Sequence, residues 1–116
     1  MEFLVDTGAD TTLLAPYDAL ALGIDATQLP PGTPTRGVGG TTPTVAVPAT
    51  LILDGSTFPF TLRVLAPSTR QQRQTLASIP SLLGRDIISN FALFFEDRTG
   101  RVILLEPHEV NRLNLP

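Results

Sequence analysis

Eleven prolines and nine glycines fall within 116 residues, and this punctuation restricts the chain to short elements. Proline inside a helix removes a hydrogen bond and clashes with the preceding turn, and glycine weakens helix and strand alike. The richest runs of β-branched and apolar residues are Thr44–Leu53, 58–65, Ala92–Glu96 and Arg101–Leu105. In the first, Val45, Val47, Ala49 and Leu51 share one parity, and Thr44, Ala46, Pro48 and Thr50 take the other. That period of two predicts a half-buried strand. Asp54-Gly55 between two such runs predicts a hairpin, and Asp97-Arg98-Thr99-Gly100 predicts another. A helix is expected over 16–22, with Pro16 in its first turn and Gly23 as its stop, and a second over 85–91 after Gly84. Residues 29–35 read as a proline-rich irregular connection and 68–78 as a polar, exposed loop. The fold class is mainly β, in one domain spanning 1–116.

Composition removes several chemistries. There is no cysteine, so disulfides, thiolate metal sites and cysteine nucleophiles are excluded. The only histidine is His108, near the C-terminus, which reads as a solvated residue rather than part of a triad or a metal site. A net charge of −3 with scattered arginines argues against a nucleic-acid partner, which calls for a basic face. No apolar run approaches the ~20 residues that span a bilayer, so no membrane segment is expected in this chain.

Phe3-Leu4-Val5 is an apolar run that stops at Asp6-Thr7-Gly8-Ala9-Asp10. A carboxylate placed directly after a buried strand is costly unless it is hydrogen-bonded or paired. Gly8 lets the backbone turn close to it, and Thr7 adds a hydroxyl that can donate and accept. Three letters alone fit an ordinary turn equally well. The wider string Phe-Leu-Val-Asp-Thr-Gly-Ala-Asp-Thr-Thr-Leu-Leu at 3–14 resembles the active-site strand and loop of the retropepsins, the retroviral-type aspartic proteases. Ser81-Leu82-Leu83-Gly84-Arg85-Asp86 resembles that family's apolar-apolar-Gly-Arg-Asp/Asn segment, and Gly37-Val38-Gly39-Gly40 looks like the tip of its flap. The blocks occur in the family's order, and the helix expected directly after the active-site loop looks more like the cellular and bacterial single-lobe relatives than the viral enzymes.

The resemblance implies a closed, mainly antiparallel, barrel-like acid-protease lobe that must pair with a second copy. It implies that Asp6, Thr7 and Gly8 form the catalytic loop, with Thr7 bonded across the two-fold axis. Gly8, Ala9, Asp10, Gly37, Val38, Gly39 and Gly40 would then contact an extended peptide substrate, and Asp10, Gly84 and Arg85 would support the loop, Asp10 and Arg85 forming a partly buried pair beneath it. No cofactor and no metal are needed, because two carboxylates about 3 Å apart share one proton and activate water between them. The family places further strand structure before the Asp-Thr-Gly, so an N-terminal strand is expected to be missing from a chain with only Met1 to Val5 ahead of it. The competing expectations are a catalytically inactive peptide-binding or dimerisation module of the same fold, and an unrelated small β-domain.

Overall fold

The computed structural model of the chain describes residues 1–37 and 40–113. In order, the elements are β1 (Phe3–Val5), β2 (Leu13–Leu14), α1 (Pro16–Ala21), a 3-10 turn (Ala26–Gln28), β3 (Thr35–Gly37), β4 (Gly40–Thr42), β5 (Thr44–Leu53) and β6 (Ser56–Leu65). There follow α2 (Arg70–Thr75), β7 (Ser81–Leu83), α3 (Arg85–Ile88), β8 (Ala92–Glu96), β9 (Arg101–Leu105) and α4 (Pro107–Arg112).

The longest pairing is local. Asp54 and Gly55 sit at φ 49° and 81°, the two positive values that a tight two-residue hairpin turn requires. They fold β5 onto β6 in register from Thr44↔Leu65 to Leu53↔Ser56. Prolines survive here because the sheet leaves them without a ladder partner on one side. Pro48 lies on β5, the sheet edge, and β6 pairs with β2 only at Arg63 and Val64. Gly100, at φ 69°, turns β8 back onto β9. Across that ribbon the Arg101 guanidinium, 2.7 Å from the Glu96 carboxylate, holds this carboxyl below its usual range.

The main sheet is not built from hairpins alone. Its order is β1-β7-β2-β6-β5. β1 runs parallel to β7, β7 antiparallel to β2, and β2 parallel to β6. The chain therefore leaves β1 at Val5, passes through 6–12 and returns on the far side of β7. The protein is a mainly β single lobe, as expected from the sequence, but among the described residues the sheet is mixed and open, with β1 and β5 as its edges. Parallel pairing by β1 and β2, imposed by that crossing loop, is what departs from a closed antiparallel barrel.

Two apolar clusters flank the sheet. Leu14, Ala19, Val45, Leu62 and Val64 form one. Leu83, Ile87 and Ile88 form the other, extended by Phe58, Phe91 and Leu104, with the Phe58 and Phe91 rings 5.0 Å apart. The helix expected at 16–22 ends one residue earlier, with Leu22 as its C-cap. The helix expected at 85–91 is only α3, four residues long. The polar stretch 68–78 contains α2 rather than a loop throughout. Its N-cap, Thr69, accepts a hydrogen bond from Gln72 N.

Gly84 joins β7 to α3 where the chain passes the returning loop. A Cβ here would lie 2.5 Å from Thr11 C, 2.6 Å from Thr11 O and 2.9 Å from Thr12 N. Its φ of −96° and ψ of −177° suit any residue, so the restriction is space alone. Gly84→Ala is expected to destabilise the fold by about 3 kcal/mol, the upper range for overpacking against unyielding atoms. Urea denaturation measures this, and a wild-type midpoint would refute the close approach.

Candidate active site

The loop after β1 is fixed first by its own backbone. Asp6 N donates to Leu83 O at 3.0 Å, so the residue is held at the end of the β1–β7 pairing. Ala9 N closes a turn onto Asp6 O at 3.1 Å, and Gly8 N donates to Asp6 Oδ1 at 2.9 Å. Half-buried Asp6 thus has one oxygen anchored. The other, Oδ2, has no hydrogen-bond partner among the described residues. Thr7 is exposed, and its hydroxyl also has no partner among them.

A second set of bonds ties this loop to α3. Arg85 N donates to Ala9 O at 2.8 Å and Asp86 N to Asp10 O at 3.2 Å. In return Asp86 Oδ1 accepts from Thr12 N at 3.0 Å, Thr12 Oγ1 at 2.7 Å and Ile87 N at 2.9 Å. Thr12 Oγ1 itself accepts from Gly84 N at 3.1 Å. Thr12 is 1% exposed, so its hydroxyl must be satisfied from within, and it is. Ser81 extends the clasp towards α1, accepting from Ala15 N at 2.9 Å and donating to Asp18 Oδ2 at 2.5 Å. Neither Thr12 nor Asp86 was among the site residues expected from sequence. Asp86 lay in a recognised block, but nothing local marks its partner 74 positions away.

Asp10 and Arg85 do form an ion pair, between Asp10 Oδ1 and Arg85 Nη2, but the side chains are 79% and 59% exposed. The expectation of a partly buried pair beneath the loop is therefore corrected. In this chain the main-chain bonds and Asp86 do the holding, and the pair lies at the surface, where such contacts contribute about 0–1 kcal/mol.

Asp6, Gly8, Ala9 and Asp10 line an open cavity of about 650 Å³. Its other walls come from the β3–β4 hairpin, through Pro34, Arg36, Gly40 and Thr42, and from Leu76, Ile79 and Pro80 after α2. Gln72 Nε2 donates to Thr41 O at 3.1 Å, linking α2 to that hairpin. Gly37 pairs with Gly40 across the hairpin, Gly40 at φ 97°, whereas Val38 and Gly39 lie outside the described residues. Only Asp6 and Asp10 bring carboxylates to the described cavity wall, and Asp10 is paired. His108 sits elsewhere, at α4, grouped with Glu106 and Glu109, whose oxygens form that helix's capping box.

Comparison with known proteins finds likenesses in sequence family and in fold. The family model described as aspartyl protease matches residues 1–87. A retropepsin-like aspartic protease from Rickettsia conorii superposes with a TM-score of 0.62 at 23% identity, over 89% of this chain and 78% of that one. EIAV protease in complex with the inhibitor HBY-793 superposes with a TM-score of 0.57 at 26% identity, over 88% of this chain and 80% of that one. No curated protein matches.

The clasp generates a graded prediction. Asp86→Ala strands two donors, Thr12 N and Thr12 Oγ1, in a half-buried site, Ile87 N keeping its 3.1 Å bond to Gly84 O, and should cost about 2–3 kcal/mol, whereas Arg85→Ala should cost at most about 1 kcal/mol in the isolated chain. Thermal melting of both variants checks the order, and a more damaging Arg85→Ala would reverse the assignment.

Proposed function

The chain belongs to the aspartyl protease family and has the retropepsin-like fold, and on that premise we propose that it is an aspartic endopeptidase that acts as a homodimer on extended peptides. The observation that carries this reading is the state of Asp6. Among the described residues, one oxygen is held by Gly8 N, the other has no partner, and no second unpaired carboxylate lines the same cavity. Asp86 is not an alternative partner, because its carboxylate is engaged by Thr12 and Ile87 and does not line the cavity. A second copy related by a two-fold axis supplies the missing group as its own Asp6.

The shape of the lobe supports pairing. Its radius of gyration is 15.7 Å, against roughly 13 Å for a compact domain of this length. The β8–β9 ribbon leaves Phe95 62%, Val102 43% and Ile103 44% exposed, apolar surface of the kind that association covers.

In the dimer the two Asp6 carboxylates share one proton. The charged one draws a proton from a water held between them while the protonated one polarises the scissile carbonyl, then passes its proton to the departing amine. Thr7, whose hydroxyl has no partner among the described residues, bonds across the axis and keeps the carboxylates coplanar. Gly8 and Ala9 offer main-chain groups to an extended substrate, and the β3–β4 hairpin closes over it as a flap.

Asp6→Asn tests the shared site. The variant homodimer should retain its fold and lose cleavage, because no carboxylate remains at its centre. Mixed dimers should be dead too, so rising Asp6→Asn chain at fixed wild-type concentration should suppress peptide cleavage in step with heterodimer formed. Undiminished activity with proven subunit exchange would rule out the shared pair, and peptide binding without cleavage in the wild type would favour the inactive module.

The shared proton also fixes the pH response. Cleavage should be fastest in acid and fall as that proton is lost, whereas a rate climbing from about pH 6 to 9 would exclude a carboxylate pair. Chelators should leave the rate unchanged.

A further inference from the structure

Two arginines face the cavity besides the carboxylates. Arg36 comes from β3 and Arg63 from β6. Arg36 is exposed and travels with the hairpin, whereas Arg63 is half-buried and rises from the sheet beside Leu13, its register partner on β2. Among the described residues neither has a carboxylate within ion-pair distance. The one side-chain contact of the Arg63 guanidinium is Nη1 to Thr11 Oγ1 at 3.5 Å, the outer limit of a hydrogen bond. Asp10, the nearest acid in sequence to Thr11, is taken by Arg85.

A guanidinium carries five N–H donors in a rigid fork and stays charged at every working pH. In an empty, open cleft, water satisfies it. A peptide lying over the Asp6 loop removes that water, and a half-buried charge covered without a counter-charge opposes binding. The same fork accepts a carboxylate in a bidentate, charge-assisted geometry. The cavity thus discriminates between side chains at one point, the ground shared by Thr11, Leu13 and Arg63. Through Leu13, which pairs with Leu82, that point adjoins the apolar wall formed by Leu76, Ile79 and Leu82.

We propose that Arg63 is a specificity-determining residue that selects peptides carrying a glutamate or aspartate at the subsite beside Thr11. The proposal rests on the protease reading above. In a two-fold dimer the subsite occurs on both sides of the scissile bond, so the preferred substrates are acidic at matched positions flanking an apolar cleavage site.

The experiment uses matched peptides with Glu, Gln or Lys scanned through the positions around an apolar cleavage site. Each is measured twice, by kcat/KM on the active chain and by fluorescence anisotropy for binding to the Asp6→Asn chain. At one position on each side, Glu should exceed Gln by about tenfold, equivalent to one charge-assisted hydrogen bond. That ratio should collapse towards one in Arg63→Met and remain partial in Arg63→Lys, which keeps charge without the fork. In Arg63→Glu the preference should turn to Lys, a reversal that a merely structural arginine would not produce. Melting curves confirm that each variant is folded. Absence of any acidic preference, or a preference undiminished in Arg63→Met, overturns the inference even if cleavage depends on Asp6. Arg63-dependent binding of the Glu peptides without cleavage upholds the inference and removes the protease reading instead. No binding to any peptide overturns both.

Discussion

Asp86 Oδ1 accepts hydrogen bonds from Thr12 N, Thr12 Oγ1 and Ile87 N, and this single oxygen joins two segments 74 residues apart. Remove it and the loop between β1 and β2 keeps its local turns and the main-chain bonds from Arg85 N and Asp86 N, but loses the side-chain link that engages Thr12. The loop must cross over to reach the far side of that strand, so it cannot rely on hairpin geometry to hold its shape. It is held instead by a buried threonine that donates to Asp86 while accepting from Gly84 N. Satisfied polar groups of this kind favour one arrangement, because every alternative strands a donor out of reach of water. The orientation of Asp6 follows from this arrangement.

The lobe combines a rigid floor with unfinished surroundings. The floor is buried, close-packed and intolerant of even one added methyl group at Gly84. Around it lie an Asp6 carboxylate oxygen and a Thr7 hydroxyl with no partner among the described residues, and an apolar ribbon open to solvent. The ribbon is nevertheless clamped. Arg101 lowers the Glu96 carboxyl's affinity for protons, so this exposed pair is complete above the ordinary carboxylate range and is lost only as pH falls through the lowered value. The clamp therefore persists in mild acid, where unperturbed carboxylates begin to neutralise.

How much of this could be read in the sequence depends on how local each cause is. The β5–β6 hairpin was legible because alternation and Asp54-Gly55 encode it within 22 residues, and the β8–β9 turn was legible for the same reason. So was the placement of Asp6 at a strand end, since an apolar run breaking into Asp-Thr-Gly leaves few options. The two missed helices carried signals that went unused. Thr69 and Gln72 have the spacing of a helix-capping pair, and Glu106, Pro107 and Glu109 supply both a proline start and a complete capping box. Polarity outweighed those signals in α2, which packs only its trailing Leu76 into the interior. The clasp was not legible, because a threonine and an aspartate 74 residues apart have no shared local pattern. The mixed sheet was hidden for the same reason, as parallel pairing is set by where a loop crosses.

The crossing has a consequence in time. Leu83 O, Gly84 N and the Asp86 carboxylate, which order the Asp6 loop, come from the far end of the contact map at separations of 72 to 77 residues. Contacts this distant close late, after the local hairpins have formed. During synthesis the loop is made before residues 81–88 and is ordered only after they have left the ribosome, several seconds later at about 5–20 residues per second. A nascent chain therefore displays its Asp-Thr-Gly long before it can position it. The order of the Asp6 loop is deferred to the completed lobe, so whatever that loop does is withheld until the last strands and helices are in place.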